Sequence, residues 1–264
     1  MKSSQPIGIF DSGVGGLSVL AHIHALLPNE DLLYVADNGH LPYGTKSLEY
    51  VTDRSLKITE FLIAEGAKSI VVACNTATAA AVSRLRERFS LPIIGMEPGV
   101  KPAIEQTENG RVAILATVGT LGSDKFRNLM QRHGNSAKVL IQPCHGWVEL
   151  VEQQTPDPEE TTHRVAEQLL PLLRQGIDTL VLGCTHYSFL TSTIASIAGD
   201  RVQIIDTGFA VAKQLQQRLY TAGLLRATPH PGTVQFWSSA PNAHTDALIS
   251  RLWGSPCQAV PLPV

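Results

Sequence analysis

Several signals that would assign a protein quickly are missing from this chain of 264 residues. The net charge is −2 at pH 7, without the basic stripe typical of nucleic-acid binding, so we expect no nucleic-acid partner. No apolar run reaches the roughly 18 residues of a membrane span, and we expect no membrane partner. The opening segment Met1–Pro6 lacks the apolar core of a secretory signal, which indicates a cytoplasmic protein.

Sequence motifs for metals and cofactors are also absent. There is no P-loop, H-E-x-x-H or G-x-S-x-G motif, and the glycine turn G-V-G-G does not match the dinucleotide pattern G-x-G-x-x-G. The four cysteines, Cys74, Cys144, Cys184 and Cys257, are too far apart for a zinc knuckle or a C-x-x-C pair, so free thiols are expected. We therefore predict a site with no metal and no cofactor, built from thiols, carboxylates, hydroxyls and backbone dipoles.

The pattern of short apolar runs alternating with longer amphipathic runs predicts an α/β fold with mainly parallel sheets. The predicted strands are Ile7–Phe10, Leu32–Ala36, Ser69–Ala73, Ile93–Gly95, Val112–Ala116, Lys138–Gln142, Thr179–Leu182, Val202–Ile205 and Val234–Trp237. The predicted helices include Gly16–Leu27, Leu48–Glu65, Ala77–Phe89, Leu121–His133, Pro158–Arg174 and Gly208–Ala222.

A weak internal repeat divides the chain into two halves. Each half has a glycine-containing strand–loop–helix unit, I-F-D-S-G-V-G-G-L-S or I-L-A-T-V-G-T-L-G-S, followed later by a strand–cysteine–helix unit. The segment Glu97–Pro102 looks like a crossing between the halves, and Asp206–Gly208 looks like the return. We predict one domain from residues 1–97 and 208–264 and a second from residues 98–207, with a ligand cleft between them at the strand ends.

The most informative pair of residues is Cys74 and Cys184. Each follows an apolar strand, in S-I-V-V-A-C-N-T and T-L-V-L-G-C-T-H, and each precedes a predicted helix. A buried cysteine taken alone is most often packing. Two thiols in matching positions beside helix N-termini, where the dipole favours a thiolate, indicate one acid/base site with a sulfur on each side of a substrate.

Polar residues near the same strand ends are candidates for ligand contacts, each with a plainer alternative. Asp11 and Ser12 begin the glycine loop, whose N–H groups suit a carboxylate or a small phosphate unless it is only a tight turn. Helix capping alone would account for Asn75, Thr76 and Thr185. His186 suits either proton transfer or a structural role. The Tyr43 hydroxyl and the Gly44 N–H offer contacts in a loop that otherwise reads as a turn, whereas Cys144–His145 and Cys257 are expected to take no part.

Five longer motifs, taken together, resemble the glutamate racemase family. They are I-G-I-F-D-S-G-V-G-G-L-S-V-L, P-Y-G-T-K-S, V-V-A-C-N-T-A-T-A-A-A, G-M-E-P-G-V-K-P-A and V-L-G-C-T-H-Y, in this order. The resemblance implies two α/β domains in pseudo-twofold relation with the active site between them. It also implies cofactor-independent racemisation of glutamate that supplies D-glutamate for peptidoglycan, and it is compatible with a homodimer.

The same resemblance implies a role for each matching residue. Cys74 and Cys184 would be the acid/base pair, Cys74 acting on D-glutamate and Cys184 on L-glutamate, assisted by Asp11, His186 and Glu152. The substrate-binding set would be Asp11, Ser12, Tyr43, Gly44, Asn75, Thr76, Thr185 and His186. Two alternatives stay open from the residues: an aspartate or hydantoin racemase, and a binding protein without catalysis that holds an acidic ligand. The charge pattern gives no support for or against a side activity such as binding of DNA gyrase.

Overall fold

The computed structural model describes the backbone of residues 1–264 and every side chain except that of Asn135. The strands are β1 (Ile7–Asp11), β2 (Leu32–Ala36), β3 (Ser69–Val72), β4 (Ile93–Gly95), β5 (Arg111–Ala116), β6 (Lys138–Pro143), β7 (Thr179–Gly183), β8 (Gln203–Ile205), β9 (Val234–Ser238) and β10 (Val260–Pro261). The helices are α1 (Leu17–Leu26), α2 (Leu48–Ala64), α3 (Asn75–Arg88), α4 (Val100–Gln106), α5 (Val118–Leu121), α6 (Asp124–His133), α7 (Trp147–Glu152), α8 (Pro158–Leu173), α9 (Thr191–Ala198), α10 (Gly208–Thr221) and α11 (Ala243–Trp253).

Among the described residues, the strands form two sheets, one of six strands and one of four. The first has the order β10-β9-β2-β1-β3-β4 and the second the order β6-β5-β7-β8. Every strand pairing in both sheets is parallel. This confirms the predicted α/β fold with mainly parallel sheets, because parallel strands need helical crossovers that cover both faces.

The internal repeat is visible in the strand order. The part β2-β1-β3-β4 of the first sheet corresponds strand for strand to β6-β5-β7-β8 of the second. The third strand of each repeat, β3 or β7, therefore lies beside the first, and Cys74 and Cys184 follow those two strands. The duplicated topology places both thiols at the carboxyl edge of a parallel sheet, where open α/β folds bind ligands.

The two sheets draw on different parts of the chain. Residues 7–95 and 234–261 supply the first sheet, and residues 111–205 supply the second. The crossing between them is helical at α4, and the return leads into α10. Domain boundaries near residues 97 and 207 stay a prediction, because sheet membership alone does not define which residues move together.

Apolar side chains cover both faces of each sheet. In the first sheet, β1 is buried along its whole length, with α1, α10 and α11 packed on one face and α2 and α3 on the other. In the second, α7, α8 and α9 pack on one face and α4 and α6 on the other. A strand buried on both sides gives a continuous apolar run, which is why these strands were readable from the sequence.

Two helical predictions differ from the structure. The predicted helix Leu121–His133 begins later, at Asp124 of α6, and Leu121 is instead the last residue of α5. The Ser123 hydroxyl accepts a hydrogen bond from the Phe126 amide and so starts the new helix. The segment after Cys184, expected to be α-helical, is a 3-10 helix over Thr185–Leu190 that continues into α9. Tyr187 and Leu190 are both buried, and a three-residue repeat places them on the same side.

None of the helices in the described chain combines the length and the apolar content that crossing a bilayer requires. The longest helix, α2, carries charged residues such as Arg54 and Lys57 along its length.

Candidate active site

A cleft between the carboxyl edges of the two sheets contains both predicted thiols. It is lined from the first sheet by Ser12, Pro42, Tyr43, Gly44, Thr45, Cys74, Asn75 and Thr76, and from the second by Thr117, Val118, Cys144, His145, Gly146, Val148, Glu149, Cys184, Thr185 and His186. Cys74 and Cys184 are free thiols and are almost fully buried, with 5% and 8% of their surface exposed. The strand–cysteine pattern therefore led to residues that share one cavity.

Cys74 occupies the N-cap position of α3. Its sulfur accepts a hydrogen bond from the Ala77 amide at 3.5 Å, and its thiol donates to the Ser12 hydroxyl at 3.7 Å. Burial raises the pKa of the Cys74 thiol well above its ordinary value, and the nearby Asp11 carboxyl raises it further. The helix amide opposes that rise, so Cys74 is held mainly as a thiol that has a proton to give.

Asp11 is the last residue of β1 and is completely buried between the two sheets. Its carboxylate accepts hydrogen bonds from the amides of Ser12 at 2.7 Å and Gly16 at 2.5 Å, and from the Thr185 hydroxyl at 3.3 Å. Burial raises the pKa of Asp11, while His186, Cys74 and the two amides limit the rise by favouring the charged form. Asp11 is therefore positioned both to influence Cys74 and to join the two sides of the cleft.

Cys184 belongs to a chain of three groups. Its sulfur lies 3.8 Å from Nδ1 of His186, and Nε2 of His186 lies 2.7 Å from Oε1 of Glu152. Burial by itself would lower the pKa of His186, but the hydrogen bonds and negative charges of Cys184 and Glu152 raise it well above its ordinary 6.5. The imidazole is therefore cationic at neutral pH, and it places a positive charge 3.8 Å from the Cys184 sulfur.

The glycine loop after β1 serves the protein's own carboxylates rather than leaving its amides for a ligand. The Ser12 and Gly16 amides bind Asp11, and the Val14 amide donates to Glu152 at 3.1 Å. Glycine is needed because the loop lies very close to side chains of other segments: an added Cβ at Gly13 would lie 2.3 Å from Glu152 Oε1. An added Cβ at Gly15 would lie 2.3 Å from His186 Nδ1. The carboxylates bound at this loop are thus mainly those of Asp11 and Glu152, where the sequence analysis expected the carboxylate of a ligand.

The side chain of Asn75 is available for a ligand. It lines the cleft with 3% of its surface exposed, and neither its amide nitrogen nor its oxygen has a hydrogen-bond partner among the described residues. Leaving both atoms of a buried amide unpaired is costly unless a bound molecule satisfies them. Its position at the start of α3 adds the positive end of the helix dipole, which suits a carboxylate.

A cluster of hydroxyl groups closes one end of the cleft. Thr76 Oγ1 lies 2.9 Å from Thr117 Oγ1 and 3.2 Å from Thr120 Oγ1, which joins α3 to α5 across the two sheets. The sequence analysis identified Thr76 but missed Thr117 and Thr120. The internal repeat offered a signal for Thr117, because Thr117 directly follows β5 as Ser12 directly follows β1.

The Tyr43 hydroxyl, for which the sequence predicted a ligand contact, already has a partner within the protein. It donates to Asp37 Oδ2 at 2.5 Å, and the same carboxylate accepts two hydrogen bonds from Arg54 at 3.0 and 2.7 Å. Burial and the Asp37 charge raise the pKa of Tyr43, so the phenol stays protonated. Tyr43 therefore forms cleft wall, and the neighbouring Gly44 backbone remains the candidate for a direct contact.

Cys144 and His145 also line the cleft, although the sequence analysis expected them to take no part. Cys144 follows β6 as Cys184 follows β7, so both lie at the same sheet edge. Burial and the nearby Cys184 raise the pKa of Cys144, which keeps it a neutral thiol. Cys257 lies elsewhere, bonded to Ser250 near the end of the chain.

Over the part of the chain that the structure describes, no group of three or more histidine, cysteine, aspartate or glutamate side chains has the arrangement needed to hold a metal ion. The chemistry that these residues can themselves support is proton transfer between two thiols, with a carboxylate near one and an imidazole–carboxylate pair near the other.

Comparison with known proteins agrees with this geometry. The family model Asp/Glu/Hydantoin racemase matches residues 7–215. The glutamate racemase of Methylococcus capsulatus is 51% identical over 261 residues, covering 99% of this chain and 96% of that protein.

Solved structures extend the comparison to the fold. Glutamate racemase isoform RacE1 from Bacillus anthracis superposes with a TM-score of 0.90 at 34% identity, covering 99% of this chain and 98% of that one. The enzyme from Francisella tularensis, in complex with D-glutamate, superposes with a TM-score of 0.84 at 28% identity, covering 97% and 96%. The chain therefore belongs to the Asp/Glu/Hydantoin racemase family and, within it, to the glutamate racemases, which are amino-acid isomerases.

Proposed function

We propose that this chain interconverts L- and D-glutamate without a cofactor, using Cys74 and Cys184 as the two acid/base groups. The observation that carries the proposal is that two free, buried thiols share one cleft and follow equivalent strands of a duplicated fold. Inversion at Cα requires a proton to leave one face and another to arrive on the opposite face, and two thiols on opposing walls suit that requirement.

In the direction from L- to D-glutamate, the Cys184 thiolate takes the Cα proton. The C–H electron pair stays on the substrate and spreads onto the α-carboxylate, and the Cys74 thiol then donates its proton to the opposite face of Cα. Cys184 ends as a thiol and Cys74 as a thiolate, and the reverse direction uses the same steps backwards. Exchange of protons with water resets the pair between turnovers.

The difficult point of the reaction is the negative charge that develops on the substrate. Asn75, the hydroxyls around Thr76 and the N-terminus of α3 are the groups best placed to hold a carboxylate. Preorganised donors of this type are worth about 3–4 kcal/mol each in mutational terms. Ser12, the Gly44 backbone and Thr185 complete the proposed substrate contacts. The D-glutamate bound to the Francisella tularensis relative supports glutamate as the substrate.

The two thiols receive different assistance in this proposal. Asp11 assists Cys74, whose pKa its charge raises, and the cationic His186 assists Cys184 by stabilising the thiolate. Glu152 keeps His186 protonated through the 2.7 Å contact. Because Glu152 also accepts a hydrogen bond from the Val14 amide, the arrangement on the Cys184 side depends on contact between the two sheets' elements.

Domain motion is part of the proposal. Residues 1–97 with 208–264 would form one body that carries Cys74, and residues 98–207 would form the other, which carries Cys184. Contacts such as Thr185 with Asp11 and Glu152 with Val14 would form on closure and break on opening. A closed cleft excludes water and strengthens the electrostatic interactions inside it.

The cellular role follows from the resemblance of the motifs. We propose that the enzyme acts in the cytoplasm and that its D-glutamate enters peptidoglycan, which gives it a part in cell-wall biogenesis and cell shape. A homodimer is compatible with the same resemblance, and sedimentation of the purified protein would test it.

A substrate screen tests the proposed reaction directly. The purified protein is incubated with L-glutamate, L-aspartate or a substituted hydantoin, and the products are separated by chiral chromatography. Conversion of L-glutamate with a rate at least a hundredfold above the other two substrates is the expected result. Preferred conversion of aspartate or a hydantoin would contradict the substrate assignment. If the enantiomeric excess of all three substrates stays unchanged and no deuterium exchanges at Cα, the protein binds its ligand without catalysis.

A further inference from the structure

The position of Glu152 depends on a short helix. Glu152 is the last residue of α7, which spans only Trp147–Glu152 and begins after Gly146 in the left-handed conformation. A helix of this length has little stability of its own, so its end must be held by contacts with other elements. The way in which α7 ends therefore decides where the carboxylate of Glu152 meets His186.

Arg251 binds the chain on both sides of Glu152. Its Nη2 atom donates to the carbonyl oxygen of Val151 at 3.1 Å and to that of Gln153 at 2.9 Å. These carbonyls belong to the residues immediately before and after Glu152. A guanidinium is a planar, permanently charged donor, and it also suits the carbonyl end of a helix electrostatically.

Arg251 reaches α7 from the other sheet's core. It lies in the last turn of α11, whose Leu248 and Ile249 are buried in the core of the six-stranded sheet. The glycine loop of the same sheet holds Glu152 from the opposite direction, through the Val14 amide at 3.1 Å. The end of α7 is thus held between two elements of the sheet that carries Cys74, although Glu152 serves Cys184.

We propose that Arg251 is a positioning residue for the Cys184 side of the reaction: it fixes the backbone at Glu152 so that this carboxylate meets His186. The inference rests on the two-thiol function proposed above. It assigns to α11, near the end of the chain and remote from the cleft lining, a defined effect on one of the two proton transfers.

The variants Arg251→Ala and Arg251→Lys test this role in the full-length protein. We expect Arg251→Ala to lower kcat roughly tenfold, the scale of two lost charge-assisted hydrogen bonds that are partly exposed, with KM for glutamate within twofold of wild type. Arg251→Lys should recover part of the loss, because an ammonium keeps the charge but not the planar fork. Arg218→Ala, an exposed arginine in the last turn of α10, is the matched control and should behave as wild type.

Isotope effects distinguish positioning from a general loss of active enzyme. Enantiomers have equal free energies in water, so kcat/KM must be the same in both directions for every variant. Deuterium at Cα of the substrate shows instead which proton transfer has slowed. If the transfer at Cys184 becomes slower, the isotope effect on kcat/KM rises for the enantiomer that Cys184 deprotonates and falls towards one for the other.

Glu152→Gln should raise the isotope effect for L-glutamate and lower it for D-glutamate. Arg251→Ala should change both isotope effects in the same directions by smaller amounts. Equal or unchanged isotope effects for the two enantiomers, or a shift in the sense produced by Asp11→Asn, would overturn the positioning role. Failure of the two-thiol function would be recognised separately, because Cys184→Ala would then racemise glutamate at a rate near wild type.

Discussion

The two walls of the cleft have the same architecture and different chemistry. Cys74 and Cys184 each follow the third strand of the repeat, yet Cys74 caps a long α-helix beside the Asp11 carboxylate. Cys184 instead precedes a 3-10 helix and contacts the His186–Glu152 pair. The duplicated topology determines where the sulfurs lie, whereas the residues around each one determine how it handles a proton.

This difference suits a reaction between mirror-image substrates. A resting enzyme needs one sulfur that accepts a proton and one that donates it, and two identical surroundings would not distinguish them. Burial and the nearby Asp11 favour the protonated form of Cys74, whereas the cationic His186 places a positive charge beside the Cys184 sulfur. In the proposed mechanism this asymmetry prepares the pair for one direction, and each turnover reverses it.

The largest effect is expected when either sulfur is removed. Cys74→Ala and Cys184→Ala should each lower the rate of glutamate racemisation by about 10³–10⁴-fold, because each deletes one proton-transfer group. Chiral chromatography of the products measures the rate, and Cys257→Ala, outside the cleft, serves as the control. Racemisation by either variant at close to the wild-type rate would remove the basis for two acid/base groups.

A methyl group at Gly15 should disturb the Cys184 side selectively. The added Cβ would lie 2.3 Å from His186 Nδ1, so the imidazole must move away from its present position. We expect Gly15→Ala to lower kcat by about 10²-fold, the scale of a misplacement of about 1 Å among groups that must be aligned for the reaction. In Gly122→Ala the nearest atom to the new Cβ is 3.3 Å away, and this control should retain activity. Equal rates for the two variants would show that His186 tolerates displacement.

Replacing one assisting group at a time sharpens the comparison between the walls. Asp11→Asn and His186→Gln should each lower kcat by roughly 10–10²-fold, less than loss of a sulfur, because the proton carrier itself remains. For each enantiomer of glutamate deuterated at Cα, the isotope effect on kcat/KM should rise in one of these variants and fall in the other. The same direction of change in both variants would mean that the two residues do not serve different thiols.

The free energy of unfolding should depend on pH in part through the protonation of His186. Its pKa is raised in the folded protein, so its stabilising contribution is complete below the unfolded pKa of about 6.5 and is lost as pH rises through the folded value. The difference in unfolding free energy between wild type and His186→Gln should therefore shrink from pH 6 towards alkaline pH. Urea denaturation at several pH values measures it, and a difference that grows with pH would contradict the cationic imidazole.

Much of the fold was predictable because buried parallel strands are continuous apolar runs with glycine, proline or cysteine at their ends. The strand that ends at Asp11 and the two strands that lead to Cys74 and Cys184 were found in this way. The division between α5 and α6 was missed, because the capping role of Ser123 competes with an otherwise helical pattern. The helical character of the crossing at α4 was also missed, since its glycine and two prolines read as a turn.

The candidate site was predictable only where its residues lie next to a strand end. Asn75, Thr76 and Thr185 lie in the cleft for that reason, and so does Cys144, which the sequence analysis set aside. Contacts between distant segments were not readable: Glu152 is 34 residues from His186, and 138 residues separate it from Val14. The use of the Tyr43 hydroxyl by Asp37 likewise depends on tertiary packing.

The proposed mechanism requires two sulfurs that act on opposite faces of one substrate, and incorporation of deuterium from the solvent distinguishes it from a mechanism with one base. The wild-type protein is incubated with L-glutamate in D₂O, and the reaction is stopped at low conversion. The two enantiomers are then separated, and mass spectrometry measures the deuterium content of each. With two sulfurs, the D-glutamate formed should carry solvent deuterium at Cα, while the recovered L-glutamate keeps its protium. D-glutamate that retains the substrate's own proton would show that a single base serves both faces, and would rule out the two-sulfur mechanism.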